Sequence, residues 1–592
     1  MSTSIDQVRE RLRQRTEHFR TRLSHAEALP QLAILGILAG IATCLVVHAF
    51  RLAIQLSGWL WMPEGDAERF ESLPGLVRFL LPIGGALLIA LILARAGANR
   101  RSGGVAYVIE RVNHHQGQLP LGNAVLQFVV TVIAILTGQS VGREGPAVHL
   151  GATASSLTGQ WLRLPNNSLR VLVGCGTAAA ISASFNTPMA GVIFAMEVVL
   201  MEYTVTQFTP VILAAVIGAI STQILYGSKP AFEVPAIEMQ SLWELPFVAF
   251  EGLWVGAIAA LFIVIHRRFL NTGAISIQRR LMAAGVLTGT VGLVIPEVLG
   301  IGYDTVDHAL VGQIGVGVLC AFVLGKLVVT AITTGLGMPG GVIGPSLVIG
   351  AGVGGIVGEL VAFIAPNNSS SAGFYVIVGM GAMMGALLHA PLAALVALLE
   401  LTNNPGIILP SMLAIIVALL SCRALFRQQS VFDVMLEARG SGHSIDPLAR
   451  VLRHAGVASI MDRSFARASR LVEVQDAKRL LAQEPRWILI DAGEGRTRVL
   501  RAADLARHLT EQHAQTDADG PQTDSVDLMK IPGLRLDTTP IHSRATLHEA
   551  LRALEKSNAE AVLVQRQSAP LIAPAVGVLT KSAIESYYHI KS

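Results

Sequence analysis

The sequence predicts a mainly α-helical, polytopic membrane fold made of two homologous halves with broken helices, followed by a small α/β domain. Three observations predict it. The composition lacks the polar surface of a soluble chain, long uncharged runs are interrupted by Gly and Pro, and one half of the apolar region echoes the other.

Composition comes first. Of 592 residues, 52% are hydrophobic and 15% charged, against about 25% charged in soluble globular chains. Mean hydropathy is +0.55. A larger core would still need a polar coat, so the deficit implies a coat of lipid. The 57 glycines suit membrane helices that pack backbone to backbone. The stretches Phe79 to Ala94, Val171 to Met196, Leu327 to Gly358 and Pro405 to Cys422 hold no Asp, Glu, Lys or Arg. Breaks within such runs are tolerated at membrane depth only beside protein or a water-filled cavity.

Residues 1–30 are rich in arginine, from Arg9 to Arg22, interleaved with Glu10, Glu17 and Glu27. They read as a helix preceding the first span, cytoplasmic by the positive-inside rule. The mixed charges and the net charge of +4 argue against nucleic-acid binding, and no clear cleavage site marks a signal peptide. Cys44, Cys175, Cys320 and Cys422 all sit in apolar stretches without metal-ligand spacing and read as small core residues. The sequence shows no pair of catalytic carboxylates at a membrane face, no nucleophile beside a base and no metal cluster. It therefore reads as no enzyme and as needing no cofactor or metal.

Residues 31–432 form the membrane region, and residues 433–592, charged and alternating between short strands and helices, form a tail long enough for a domain. Gly145-Pro146-Ala147-Val148-His149-Leu150-Gly151-Ala152 is echoed by Gly344-Pro345-Ser346-Leu347-Val348-Ile349-Gly350-Ala351, 199 positions on. Thr187-Pro188-Met189-Ala190 is echoed by Ala390-Pro391-Leu392-Ala393, 203 positions on, and each leads through an apolar stretch to a glutamate, Glu197 or Glu400. Two echoes in one order at nearly one offset indicate homologous halves. In transporters such halves often meet at the substrate site.

An anion at the bilayer midplane needs a mild attraction, because a full cation there is costly and binds too tightly. Helix N-termini supply it through free N–H groups and a partial positive charge. Glycine lets an ion approach the backbone, and proline suits the first helical turn. Gly142-Arg143-Glu144-Gly145-Pro146 opens into Ala147 to Leu157, and Gly341-Val342-Ile343-Gly344-Pro345 opens into Ser346 to Val357. Neither stretch is long enough to span alone. Two short helices aimed at one point would make an anion site.

These motifs resemble the CLC chloride channel and transporter family. Gly142-Arg143-Glu144-Gly145-Pro146 matches its GREGP motif, Gly341 to Pro345 its GxFxP-type motif, and Phe185 to Gly191 with Glu197 the segment after the first half-site. The resemblance covers roughly Leu32 to Gly440. It implies that the two homologous halves are inverted, and a homodimer with one chloride path per subunit, in the cell membrane with both termini cytoplasmic. It also implies that the amides of Val342 and Ile343 face the central anion. Glu144 becomes the gating glutamate, whose carboxylate occupies an anion position when ionised, and Arg143 draws anions to the mouth. The implied function is a voltage- and pH-gated chloride channel, with a proton-coupled chloride antiporter as the alternative.

Three positions depart from the family pattern. Arg101-Ser102-Gly103-Gly104-Val105 keeps the hydroxyl of the first anion loop at Ser102 and lacks its proline. The inner tyrosine falls on Phe432, which keeps a ring and loses the O–H donor. Val198 stands where proton-coupled members often carry a second glutamate, which favours passive conduction, and Glu197 is expected to brace helix packing. His149 and His389 are expected to be structural. The tail repeats a helix, a strand, a strand and a helix around Trp487 to Ile490 and Ala561 to Val564. It is similar to a tandem pair of CBS domains, which commonly bind adenine nucleotides. Arg501 and Ala583 break the ribose-contacting pattern in the two copies, so a packing role is expected instead.

Overall fold

Where lipid surrounds the chain, every backbone N–H and C=O must be satisfied within the fold, which leaves helices as the solution for long apolar runs. The computed structural model describes residues 23, 29–61, 69–228, 232, 239–272, 275–366, 369–442, 451–491, 497–516, 525–566 and 574–591. The expected N-terminal helix over residues 1–30 lies almost wholly outside them. The chain divides into a membrane unit (residues 32–162 and 169–443) and a tail unit (residues 1–31, 163–168 and 444–592).

The helices run in order α1 (Leu29–Trp61), α2 (Gly75–Arg95), α3 (Gly104–His114), α4 (Leu121–Leu136), α5 (Glu144–Trp161), α6 (Asn166–Phe185), α7 (Pro188–Phe194) and α8 (Val205–Tyr226). They continue with α9 (Leu245–Leu270), α10 (Ile277–Val294), α11 (Tyr303–Leu310), α12 (Val316–Gly335), α13 (Ile343–Ile364), α14 (Ala372–Leu388), α15 (Pro391–Thr402), α16 (Ile408–Leu420) and α17 (Val431–Ala438). Among the described residues, 8 helices are long and apolar enough to cross a membrane, and α4, α14 and α15 are shorter apolar helices. Helix α7 passes into a π-helical turn, Ala195–Leu200, and α16 into another, Ser421–Leu425.

Packing follows the repeat. Gly36 and Gly40 of α1 lie against Pro210 and Ala214 of α8, and Gly252 and Gly256 of α9 lie against Ala414 and Ala418 of α16. Helices α13 and α14 approach most closely: Gly350 and Gly354 meet the backbones of Gly379 and Tyr375, leaving no space for a β-carbon. Small residues let the backbones touch, and in lipid, packing of this kind replaces the hydrophobic effect as the force between helices. The four cysteines are free, and three of them are buried.

Two expected lengths are corrected. The first half-site helix runs Glu144–Trp161 and the second Ile343–Ile364, 22 residues, where short stretches ending at Leu157 and Val357 were expected. At about 1.5 Å per residue, α13 is long enough to span. Glu359 does not end it, because Leu360, Phe363 and Ile364 continue an apolar face and remain exposed.

The tail unit holds a six-stranded sheet in the order β1-β3-β4-β6-β7-β8. Its strands are β1 (Phe465–Ser469), β3 (Trp487–Asp491), β4 (Thr497–Arg501), β6 (Arg535–His542), β7 (Ala561–Gln565) and β8 (Ala575–Thr580), with β2 (Leu471–Glu473) and β5 (Ser525–Asp527) pairing separately. In each half a parallel pair (β1 with β3, β6 with β7) is extended by an antiparallel strand (β4, β8). Helices α18 (Val474–Leu481) and α19 (Ala502–Thr516) belong to the first half, and α20 (Leu547–Ser557) and α21 (Lys581–Lys591) to the second. Each half buries its own core, Ile488, Ile490, Leu500 and Leu505 in one and Val562, Val564, Leu579 and Ile584 in the other.

Candidate anion site

The two Gly-Pro segments meet. The Gly142 amide donates to the Gly341 carbonyl at 2.8 Å, and the Gly341 amide donates to the Gly142 carbonyl at 2.7 Å. This reciprocal bridge sets the N-terminus of α5, at Glu144, beside that of α13, at Ile343. Pro146 and Pro345 fall in the first turns of the two helices, where a missing N–H costs nothing.

The Glu144 side chain lies across the bridge. It is completely buried. One carboxylate oxygen accepts from the Gly344 amide at 3.2 Å, and the other accepts from the Tyr303 hydroxyl at 2.6 Å. The Arg143 guanidinium stands 3.7 Å from the second oxygen. A carboxylate is thus held at a helix N-terminus as an anion would be. Space for it depends on two glycines. A β-carbon on Gly142 would lie 2.6 Å from a Glu144 oxygen, and one on Gly344 would lie 2.7 Å from the same atom.

A cavity of about 300 Å³ ends at these N-termini, lined there by Gly145, Gly341, Val342 and Ile343. Phe432 of α17 and Gly103, Gly104 and Val105 line it as well. Arg100, Arg101, Arg280 and Arg439 also face it, and no carboxylate is among its lining residues. A cavity walled by guanidinium groups in a low-dielectric surround concentrates anions.

The structure therefore brings together Gly142, Arg143, Glu144, Gly145, Pro146 and Gly341, Val342, Ile343, Gly344, Pro345, with Phe432 at the cavity wall. Ser102 lies beside the cavity and is not one of its lining residues; its carbonyl accepts from the Asn123 side chain at 3.1 Å. Gly104 at φ +77° turns the chain into α3, and the position after it, where the family has proline, is filled by buried Val105.

Sequence reasoning missed Tyr303, Arg280 and Arg439. Tyr303 is 159 residues from Glu144 in a segment with no motif, and nothing short of the fold could have paired them. The arginines carried only a weak signal, a charge close to an apolar run.

A pair of carboxylates sits in the π-helical turn after α7 and in α15. Glu197 accepts from the amides of Leu392 and Ala393 at 3.3 and 2.7 Å, and Glu400 accepts from those of Met189 and Ala190 at 2.9 and 2.8 Å. Each acid caps the N-terminus of the helix that carries the other. The neighbouring Val198 is buried. His149 is buried edge-on to Tyr107 at 5.3 Å, and His389 closes α14 at φ +55°.

Residues 85–423 match the family model described as voltage gated chloride channel. The chain belongs to this family. The CLC region resembles a ClcB-like protein of Ralstonia nicotianae, 31% identical over 404 residues that make up 66% of this chain and 94% of the relative. It also resembles the voltage-gated ClC-type chloride channel ClcB of Salmonella typhi, at 25% identity over 67% of this chain and 97% of that protein. The H(+)/Cl(-) exchange transporter ClcA of Salmonella arizonae is 30% identical over 48% of this chain and 62% of its own length. Among solved structures, a slow cyanobacterial Cl-/H+ antiporter shares the CLC fold with a TM-score of 0.62, at 23% identity over 69% of this chain and 97% of that one. A eukaryotic CLC transporter aligns over 95% of this chain and 98% of its own, with a TM-score of 0.55 and 18% identity.

Proposed function

We propose that this CLC protein conducts chloride passively across the membrane, gated by Glu144. One observation carries the reading: a buried carboxylate sits on the Gly344 amide at a half-helix N-terminus, next to residues Gly145 and Ile343 that line an arginine-walled cavity. Ionised, Glu144 occupies the place of an anion; protonated, it loses its attraction for the helix terminus and yields the site. Passive conduction is supported by Val198, which holds no proton, and by Glu197, whose carboxylate is committed to the α15 amides.

The second reading is proton-coupled antiport, favoured by the exchange-transporter name of the Salmonella arizonae relative. The two differ in energetics, since only an antiporter drives chloride against its gradient. The full chain in liposomes, under a chloride gradient with no pH gradient, should leave the lumenal pH unchanged. Chloride-driven proton movement that collapses in Glu144→Gln would remove the channel reading.

We place both termini and the arginine-lined cavity on the cytoplasmic side by the positive-inside rule. The protein is read as a homodimer in the cell membrane on the family resemblance. For the tail, read as a CBS-like pair, a packing role is preferred to adenine-nucleotide binding, because the expected ribose-contacting positions hold Arg501 and Ala583.

A further inference from the structure

We propose that Tyr303 is the latch of the Glu144 gate: its hydroxyl holds the ionised carboxylate in the closed position. The proposal rests on reading Glu144 as the gate. The half-helix amide holds one carboxylate oxygen at 3.2 Å, whereas Tyr303 holds the other at 2.6 Å, the shorter contact. A hydroxyl donating to a carboxylate over that distance is a charge-assisted bond, about twice as strong as a neutral one.

Tyr303 is held for this task from every side. Phe232 meets its ring edge-on at 5.3 Å, Phe185 lies at 6.4 Å, and the Arg143 guanidinium sits 5.5 Å above the ring. The loop before it is pinned from below: buried Lys326 of α12 donates to the carbonyls of Val298 at 3.0 Å and Gly300 at 2.7 Å. Gly302 at φ +90° then turns the chain so that Tyr303 opens α11. A β-carbon on Gly344 would lie 3.0 Å from the Tyr303 hydroxyl, so phenol, carboxylate and helix terminus fill one small volume.

The phenol makes the gate more selective for its charge state. Both the Gly344 amide and the Tyr303 hydroxyl are donors, and both favour an acceptor-only carboxylate over a carboxylic acid. Protonation therefore weakens two contacts at once and releases the side chain. The other charged groups around the pair are Arg143, Lys326 and, next to Tyr303, Asp304. Burial, helped by Asp304 and Glu297, pushes Glu71 up to about 7. That cluster is a rival source of pH dependence near the gate, so the test must separate it from Glu144.

The experiment measures chloride efflux from liposomes against external pH for the full chain, Tyr303→Phe, Glu144→Ala and the double variant. Phenylalanine keeps the ring and removes the donor. In Tyr303→Phe the ionised, docked form is less favoured, so the pH at half-maximal flux should rise by about one unit. The double variant should be as pH-independent as Glu144→Ala. A ring-fluorinated tyrosine at 303, a stronger donor of nearly the same shape, should move the midpoint down, and it guards against a Phe variant that misfolds. A Tyr303→Phe profile lying on that of the parent, while Glu144→Ala is flat, overturns the latch and leaves the gate standing. Pronounced pH dependence surviving in Glu144→Ala overturns the gate itself and points to the Glu71 cluster.

Discussion

The membrane unit holds Glu144, Glu197 and Glu400 in two arrangements. Glu197 and Glu400 occupy corresponding places in the two halves and do the same thing, each capping the helix of the other. Glu144 has no counterpart. The second half offers Ile343 at the matching position, so one helix N-terminus brings a carboxylate and the other brings only amides. Where the repeat is kept, the acids are structural ties. Where it is broken, a carboxylate from one half sits on the helix N-terminus of the other. The chemistry of this fold lies where its internal symmetry fails.

The largest expected effect breaks the unmatched side. Glu144→Ala removes the carboxylate from the Gly344 amide and should raise chloride flux at neutral pH about tenfold or more, taking one charge-assisted hydrogen bond as the least it removes. Its flux should no longer depend on external pH. A flux assay across a series of external pH values checks both.

The matched side should respond equally in both halves. Glu197→Gln and Glu400→Gln each exchange a carboxylate accepting two amide hydrogens for a neutral group, at a cost of about 1.5–3 kcal/mol. Thermal unfolding in detergent should show similar losses for the two, with the pH profile of flux unchanged. A loss confined to Glu197, or a changed pH profile, would mean that this acid carries protons and that its symmetry with Glu400 is incidental.

The smallest effect is at the cavity wall. Phe432→Tyr adds a hydroxyl to the wall of the cavity that Val342 and Ile343 also line and should tighten anion binding by about 0.5–1.5 kcal/mol, a few-fold to tenfold. Titration calorimetry with chloride checks it, and an unchanged affinity would show that ring 432 does not face the anion.

How far the sequence reached follows the same division. The paired half-helix starts were legible because Gly-Pro motifs recur at a constant offset, and strands β3 and β7 because short apolar runs sit between charged helices. Helix α13 was read too short, ending at Val357, because its apolar run is interrupted by Glu359, one charge on a helix whose last turn remains apolar. Tyr303 was invisible for a different reason. A lone tyrosine beside Asp304 is unremarkable in composition, and its partner is set by how α11 packs on α13, a contact no local pattern encodes. Lys326 is similar: its burial against the carbonyls of Val298 and Gly300 comes from a fold-level need to satisfy a loop.

The mutual bonding of Gly142 and Gly341 bears on how the protein is made. The first segment emerges during synthesis long before the second, and until then its buried-to-be amide and carbonyl have no mate. An unsatisfied backbone group in lipid costs several kcal/mol, so the young loop must stay hydrated or lean on the insertion machinery. The floor of the ion path closes only when the second half of the chain arrives, and a nascent chain halted before residue 341 has no path to leak through.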